Sequence, residues 1–339
     1  MKVLFLHHQQ RLDYRLEPTY VELFKPFLLS GLVDEYDEFI YQHELRLCAG
    51  RVFVDMHKAM GERLLQKVEA SQPDLIVYSL TWWSECIRPA YFFEIKKRWP
   101  HIKILTHYWD HNENSEIMMN YERDCHRFSD LVVIPDSHSR CERLRKREGV
   151  YADFPFPEKA HFVPTVFDPD HYKKLDVPKE FDVAIFGSAE GLREAYIVAL
   201  KQRYGPRFEH FGGFHAADKS YIGIDDYVHK LNATRVFVNT QTFPQNRVQL
   251  KGKVREALSC GTFLLENENP ESRYYLKHTP TVFFSEIQDL YQKVDYYLAH
   301  EDERETIAQA SHDWYVQNHN PRKWAGYLLE QMGLLKAAV

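Results

Sequence analysis

Two lysines and a glutamate stand close enough along the chain to share one ligand. Lys251, Lys253 and Glu256 belong to the run Gln249–Pro270, Gln-Leu-Lys-Gly-Lys-Val-Arg-Glu-Ala-Leu-Ser-Cys-Gly-Thr-Phe-Leu-Leu-Glu-Asn-Glu-Asn-Pro. Val254–Ser259 predicts a short helix that Gly261 stops, and Thr262–Leu265 predicts a buried strand directly after it. Lysines at the start of a helix add point charges to its exposed N–H groups, which makes an anion site. Glu256, one turn in, reaches a hydroxyl beside that anion. A phosphate and a sugar hydroxyl together describe a nucleotide. On charges alone, an ordinary helix–strand unit with solvated lysines accounts for the run better, so the surrounding sequence has to decide.

The elements that must position these residues alternate. In the first half Lys2–Leu6, Leu75–Leu80, Lys103–Thr106 and Leu131–Ile134 read as buried strands, and Pro18–Ser30, Asp55–Ala70 and Ile87–Trp99 as helices, with apolar residues three and four apart. A second series starts near Phe181, with strands over Asp182–Phe186, Phe208–Phe211, Val236–Asn239, Thr262–Leu265 and Val282–Phe284 and a helix from Leu192. Ala152–Pro157 reads as a loop, and Val163–Glu180, with Pro164, Pro169 and Pro178, as an inter-domain linker. Ile287–His300, Glu301–Asn318 and Pro321–Leu335 close the chain as helices. Strand–helix alternation on both sides of a linker predicts an α/β protein of two doubly wound, Rossmann-like parallel sheets that face a cleft, with ligands beyond the carboxyl ends of the strands.

Composition agrees with two domains. The chain has 339 residues, of which 44% are hydrophobic and 14% aromatic, ample for two cores. A formal net charge of −6 argues against a general nucleic-acid binder. Five cysteines, Cys48, Cys86, Cys125, Cys141 and Cys260, form no Cys-x-x-Cys pair, so a reduced, cytoplasmic setting is expected. The apolar run at Met1–Leu6 is too short for a signal peptide or a membrane span and reads as a strand. Phosphate-loop, dinucleotide, zinc-protease and serine-hydrolase motifs are missing from the sequence.

Lys-Gly-Lys-Val-Arg-Glu-Ala-Leu-Ser-Cys-Gly-Thr-Phe-Leu-Leu resembles the donor-site signature of GT-B glycosyltransferases, closest to the group 1-like branch that includes CgeB-type proteins. In that branch a basic residue precedes a Glu-Ala-x-x-x-Gly block by three places, which Lys253 and Glu256 match. The resemblance covers the chain from about Phe181 onward and is weak before it. It implies domains at 1–165 (acceptor side) and 166–320 (nucleotide-sugar donor), with 321–339 packing back on the first. It implies a UDP- or GDP-sugar as donor substrate, no permanently bound cofactor, no metal, and transfer to an acceptor hydroxyl of a glycan, protein or small molecule.

For the donor, Gly187-Ser188 after a predicted strand lets backbone N–H groups approach a phosphate, or is a plain strand–helix turn. The family likeness of Phe-Asp-Val-Ala-Ile-Phe-Gly-Ser, with Arg193 following, favours binding for Gly187, Ser188 and Arg193. Phe211-Gly212-Gly213-Phe214 implies either close approach by the base at Gly212 or a tight turn. Asn239-Thr240-Gln241 opens the loop that lines the donor pocket in this fold. Many retaining members carry an acid eight residues before the position of Glu256. Val248 stands there instead, which removes the main sequence support for a retaining outcome.

On the acceptor side, Thr106-His107-Tyr108-Trp109-Asp110-His111 leaves a predicted strand. The family often places an acid after this strand, so Asp110 is the first candidate for general base, flanked by His107 and His111. His7, His8 and Arg11 follow the first strand, and Trp82, Trp83 and Glu85 the second, where an acceptor sugar or the core claims them. Alternatives remain on the same fold: a sugar-phosphate synthase, a nucleotide-sugar epimerase, a DNA-base glucosyltransferase, or a catalytically inactive domain that binds a glycan or partner.

Overall fold

The computed structural model describes residues 1–8, 30–41, 50–80, 86–108, 113–212, 222–242 and 248–335. Asp110, His111, Arg11, Trp82, Trp83, Glu85, Gly213, Phe214 and Cys48 lie outside these residues, as does nearly all of the helix expected over Pro18–Ser30. The described residues form two compact units. One takes the chain up to Thr165 together with Pro321 onward, and the other runs Val166–Asn320.

The first unit is a parallel sheet of β1 (Lys2–His8), β2 (Glu35–Tyr41), β3 (Leu75–Leu80), β4 (Lys103–Tyr108), β5 (Leu131–Ile134) and β6 (Ala160–Phe162), in the order β2-β1-β3-β4-β5-β6. Its crossovers include α1 (Gly50–Ser71), α2 (Pro89–Arg98), α3 (Glu116–Phe128) and α4 (His138–Arg145). Every side chain of β3 is buried, as expected of a central parallel strand covered on both faces. The edge strand β2 departs from the sequence expectation. Its charged, largely exposed Glu35–Asp37 hides the pattern, and only Phe39 and Tyr41 turn inward.

The second unit is a parallel sheet of β7 (Phe181–Phe186), β8 (Phe208–Phe211), β9 (Thr234–Asn239), β10 (Leu264–Asn267) and β11 (Val282–Phe284), in the order β11-β10-β9-β7-β8. Helices α5 (Leu192–Tyr204), α6 (Ile224–Asn232), α7 (Gly252–Cys260), α8 (Pro270–Tyr275), α9 (Ile287–Ala299) and α10 (Glu301–Asn318) connect and cover these strands. From β7 the chain crosses to β8 on one side and then to β9 on the other. The order therefore reverses between β7 and β9, and a doubly wound sheet receives its ligand beyond the carboxyl ends of the strands at such a point.

Two details set the geometry of that end. Gly261 takes the left-handed conformation (φ +65°) and the Thr262 N–H donates to the Ala257 carbonyl at 3.0 Å, closing α7 with a Schellman-type cap. The cap uses Gly261 and Thr262, and the strand expected over Thr262–Leu265 runs Leu264–Asn267 instead. The last helix, α11 (Pro321–Gln331), belongs to the first unit. It buries Trp324, Ala325, Leu328 and Leu329, and Tyr327 meets His161 Nδ1 at 2.8 Å through its hydroxyl.

Candidate functional site

The residues at the reversal point gather around the turn that leaves β7. Gly187 has φ +106°, a conformation glycine adopts without strain, and its N–H donates to the Phe211 carbonyl at 2.7 Å. His210 Nε2 in turn meets the Gly187 carbonyl oxygen at 2.7 Å. A Cβ built on Gly187 would stand 3.0 Å from Arg193 Nη1 and 3.4 Å from Lys253 Cε, so the turn, the arginine and the lysine share one small space. A Cβ on Gly212 would fall 2.3 Å from the Gly187 carbonyl oxygen. Close packing of the β7 and β8 ends thus requires glycine at 212, and the expected approach of a base is not needed to explain it.

Arg193 is buried in the first turn of α5 and spans the reversal point. Its Nη1 donates to the Ser188 carbonyl at 3.1 Å and its Nη2 to the Thr240 carbonyl at 3.2 Å. The planar guanidinium holds the two carbonyls through two nitrogens in a fixed fork. Arg193 thereby ties the turn after β7 to the end of β9. Both loops present their backbone from a fixed frame.

Lys253 and Glu256 lie one turn apart on α7, the spacing that puts two side chains on one helix face. Lys253 Nζ meets Glu256 Oε2 at 3.1 Å and Oε1 at 3.3 Å. The lysine side chain is 15% exposed and the glutamate 3%. Burial draws the Lys253 pKa below its usual value, against the attraction of Glu256. Tyr227, from α6, donates its hydroxyl to Glu256 Oε2 and lays its ring 4.7 Å from Lys253 Nζ. The ring packs edge-on against Phe186 at 5.1 Å. Burial, followed by the Glu256 charge, raises the phenol pKa well above its ordinary value, so the hydroxyl stays a donor.

Lys251 occupies the cap position of the same helix and donates Nζ to Gln249 Oε1 at 2.8 Å. Gln249 is itself clamped: its N–H reaches Gln241 Oε1 at 3.3 Å, and Gln241 Nε2 donates to its carbonyl at 3.0 Å. This exchange fastens both ends of the loop between β9 and α7. Val248, where an acid was of interest, is half-buried at the loop's end.

Asn239 ends β9 beside Glu266 of β10, its register partner. Asn239 Nδ2 donates to Glu266 Oε2 at 2.6 Å, while Ser272 Oγ donates to Oε1 at 2.7 Å and Asn269 Nδ2 at 3.3 Å. Burial pushes the Glu266 pKa up to about 7, partly offset by these donors and by the Arg193 charge. Neither Tyr227 nor Glu266 was legible as a site residue. Tyr227 is one of 21 tyrosines with no motif around it, and Glu266 reads as the polar end of an apolar run.

The acceptor-side candidates divide. His107 is fully buried in the first unit, with Nε2 against Thr165 Oγ1. Beyond Asp110 the described residues resume at Glu113, held by Arg143 Nη1 and the Tyr151 hydroxyl, each at 2.9 Å. Among the described residues no group of three or more His, Cys, Asp or Glu side chains is arranged to hold a metal ion, and no helix is long and apolar enough to cross a membrane.

Residues 174–330 match the family model described as glycosyl transferase-like. No curated protein matches the chain in sequence. Solved structures resemble it in fold across both units. The N-terminal domain of Candida albicans trehalose-6-phosphate phosphatase has a TM-score of 0.64 at 9% identity, over 98% of this chain and 97% of that one. The E. coli trehalose-6-phosphate protein bound with UDP-2-fluoro glucose has a TM-score of 0.63 at 9% identity, over 100% of each chain. The UDP-GlcNAc 2-epimerase of Neisseria meningitidis, bound to UDP-GlcNAc, has a TM-score of 0.54 at 12% identity, over 97% of this chain and 100% of that one. With its two parallel sheets and alternating helices, the chain has the α/β two-domain fold of GT-B structures, and its residues 174–330 match the glycosyl transferase-like model.

Proposed function

We propose that the chain is a glycosyltransferase that moves a sugar from a nucleotide-diphosphate sugar, a UDP- or GDP-sugar, to an acceptor hydroxyl. The observation that carries this reading is the Lys253–Glu256 pair at the reversal point, beside Gly187 and Arg193. A cation and a carboxylate on adjoining turns suit a phosphate and the ribose hydroxyls of one nucleotide. Lys253, aided by Lys251 and the backbone N–H groups at Gly187-Ser188, stabilises charge on the departing diphosphate. We read the reaction as metal-independent because these lysines supply that neutralisation. The spacing of Lys253 and Glu256 favours the CgeB-type branch. The four described cysteines, all buried thiols, suit a reducing compartment.

Asp110 is our candidate to take the acceptor proton. Asp110→Asn is expected to keep nucleotide-sugar affinity and to lose most of kcat, because the amide keeps the shape but cannot accept the proton. Turnover within a few-fold of wild type would make Asp110 structural.

The test of the function is a melting-temperature screen with UDP, GDP, CDP and ADP, followed by product analysis with the sugar of the best binder. One nucleoside diphosphate at about 100 Kd should stabilise the protein by about 2.7 kcal/mol. Transfer releases that nucleoside diphosphate. An isomerised nucleotide sugar would instead support an epimerase, the reading favoured by the likeness to the Neisseria epimerase. No stabilisation by any of the four would favour a domain that binds a glycan or protein partner.

A further inference from the structure

The candidate site holds its two key charges against each other. Lys253 Nζ spans both oxygens of Glu256, at 3.1 Å and 3.3 Å. A nucleotide that needs the ammonium for phosphate and the carboxylate for ribose has to part them. Parting them has a cost, because a buried carboxylate that loses its cation is strongly destabilised. Glu256 is buried, so water does not easily replace the lost partner.

Tyr227 is placed to offset that cost. Its hydroxyl donates to Glu256 Oε2 and leaves Oε1 to a second donor. Its ring is fixed by Phe186 on one edge and attracts Lys253 Nζ at 4.7 Å, so phenol, ammonium and carboxylate form one compact set. The raised phenol pKa keeps the proton on the tyrosine, and the bond to Glu256 persists when the lysine moves. Arg193, another nearby cation, is committed to the Ser188 and Thr240 carbonyls.

We infer that Tyr227 is a positioning residue of the donor site: it holds Glu256 in its ribose-binding orientation while Lys253 exchanges that carboxylate for the ligand's diphosphate. The inference rests on the nucleotide reading above. It adds a step to binding, an exchange of ion-pair partners, and assigns that step to a tyrosine no motif marks.

A double-mutant cycle read by calorimetry with UDP tests it. Tyr227→Phe keeps the ring against Phe186 and Lys253 and removes only the hydroxyl. It should weaken UDP binding about tenfold or more, the loss expected for a hydrogen bond to a charged group. In the Glu256→Gln background there is no carboxylate to hold, and the same change should weaken UDP binding less than about threefold. Equal losses in both backgrounds would mean that Tyr227 acts through packing, and would overturn the inference, as would unchanged affinity in the single variant. Should Tyr227→Phe fold poorly, 3-fluorotyrosine at position 227 replaces it. Its more acidic hydroxyl donates more strongly, so UDP should bind more tightly; unchanged affinity would count against the inference. Wild-type protein that binds no UDP contradicts the nucleotide reading, and the inference falls with it.

Discussion

Each unit buries an ion pair beside a tyrosine, and the two pairs are built for opposite purposes. In the first unit Arg140 Nη2 donates to Glu122 Oε2 at 2.7 Å, with 3% and 2% of the side chains exposed. Its Nε donates to the Tyr151 hydroxyl at 3.1 Å, and that hydroxyl donates to Glu113 Oε1 at 2.9 Å. In the second unit the cation is Lys253, which is more exposed, and the tyrosine points its proton at the acid. Arginine's rigid fork commits several donors at once, whereas lysine is a point charge on a flexible stem. The Arg140–Glu122 pair is a fixed joint between α4 and α3. The Lys253–Glu256 pair is closed but exchangeable, because Tyr227 serves the acid independently of the lysine.

Removing one partner of the fixed joint should have the largest effect. Arg140→Met leaves Glu122 buried without its cation and should cost about 3–5 kcal/mol of stability, while nucleotide affinity of the folded protein stays unchanged. Urea unfolding and calorimetry check the two halves of that statement. A cost under about 1 kcal/mol would erase the contrast, because exposed pairs contribute about that little.

Glu266 sharpens the comparison as a third buried acid, held by amides and a hydroxyl. Burial raises its folded pKa from 4.5 to about 7. The folded state therefore binds the proton more tightly than the unfolded chain does. The stability it contributes is complete below its unfolded pKa and is lost as pH rises through about 7. Glu266→Gln lacks that dependence. Its stability relative to wild type should rise between about pH 4 and pH 8 by up to about 3 kcal/mol, since each tenfold in proton affinity is worth about 1.4 kcal/mol. A flat difference across that range would show that Glu266 ionises normally in the fold.

The residues of the candidate site differ in how well the sequence exposes them. Lys253 and Glu256 were legible because a helix brings together residues three apart, whatever the rest of the fold does. Leu75–Leu80 and Leu131–Ile134 were legible as strands with the observed bounds, since runs of apolar residues between turns leave few alternatives. The Glu35–Tyr41 strand was hidden because an edge strand exposes its charged residues. The helices Glu116–Phe128 and His138–Arg145 were hidden by polar content, and α6, which carries Tyr227, by its position after a glycine-rich strand end. Tyr227 and Glu266 meet the site through pairings between elements distant in sequence, and no local spacing encodes such a meeting. Gly212 was legible as a glycine needed for close approach, but the group approaching is the Gly187 backbone.

The central claim is that Lys253 is an exchangeable cation that meets phosphate. Calorimetry of Lys253→Ala with UDP and with uridine tests it most directly. The stability cost should fall below that of Arg140→Met, since Tyr227 still serves Glu256. UDP should bind about tenfold to a hundredfold more weakly than to wild type, the worth of one charge-assisted contact, and uridine within about twofold. Equal losses for UDP and uridine, or no loss for either, would contradict the account.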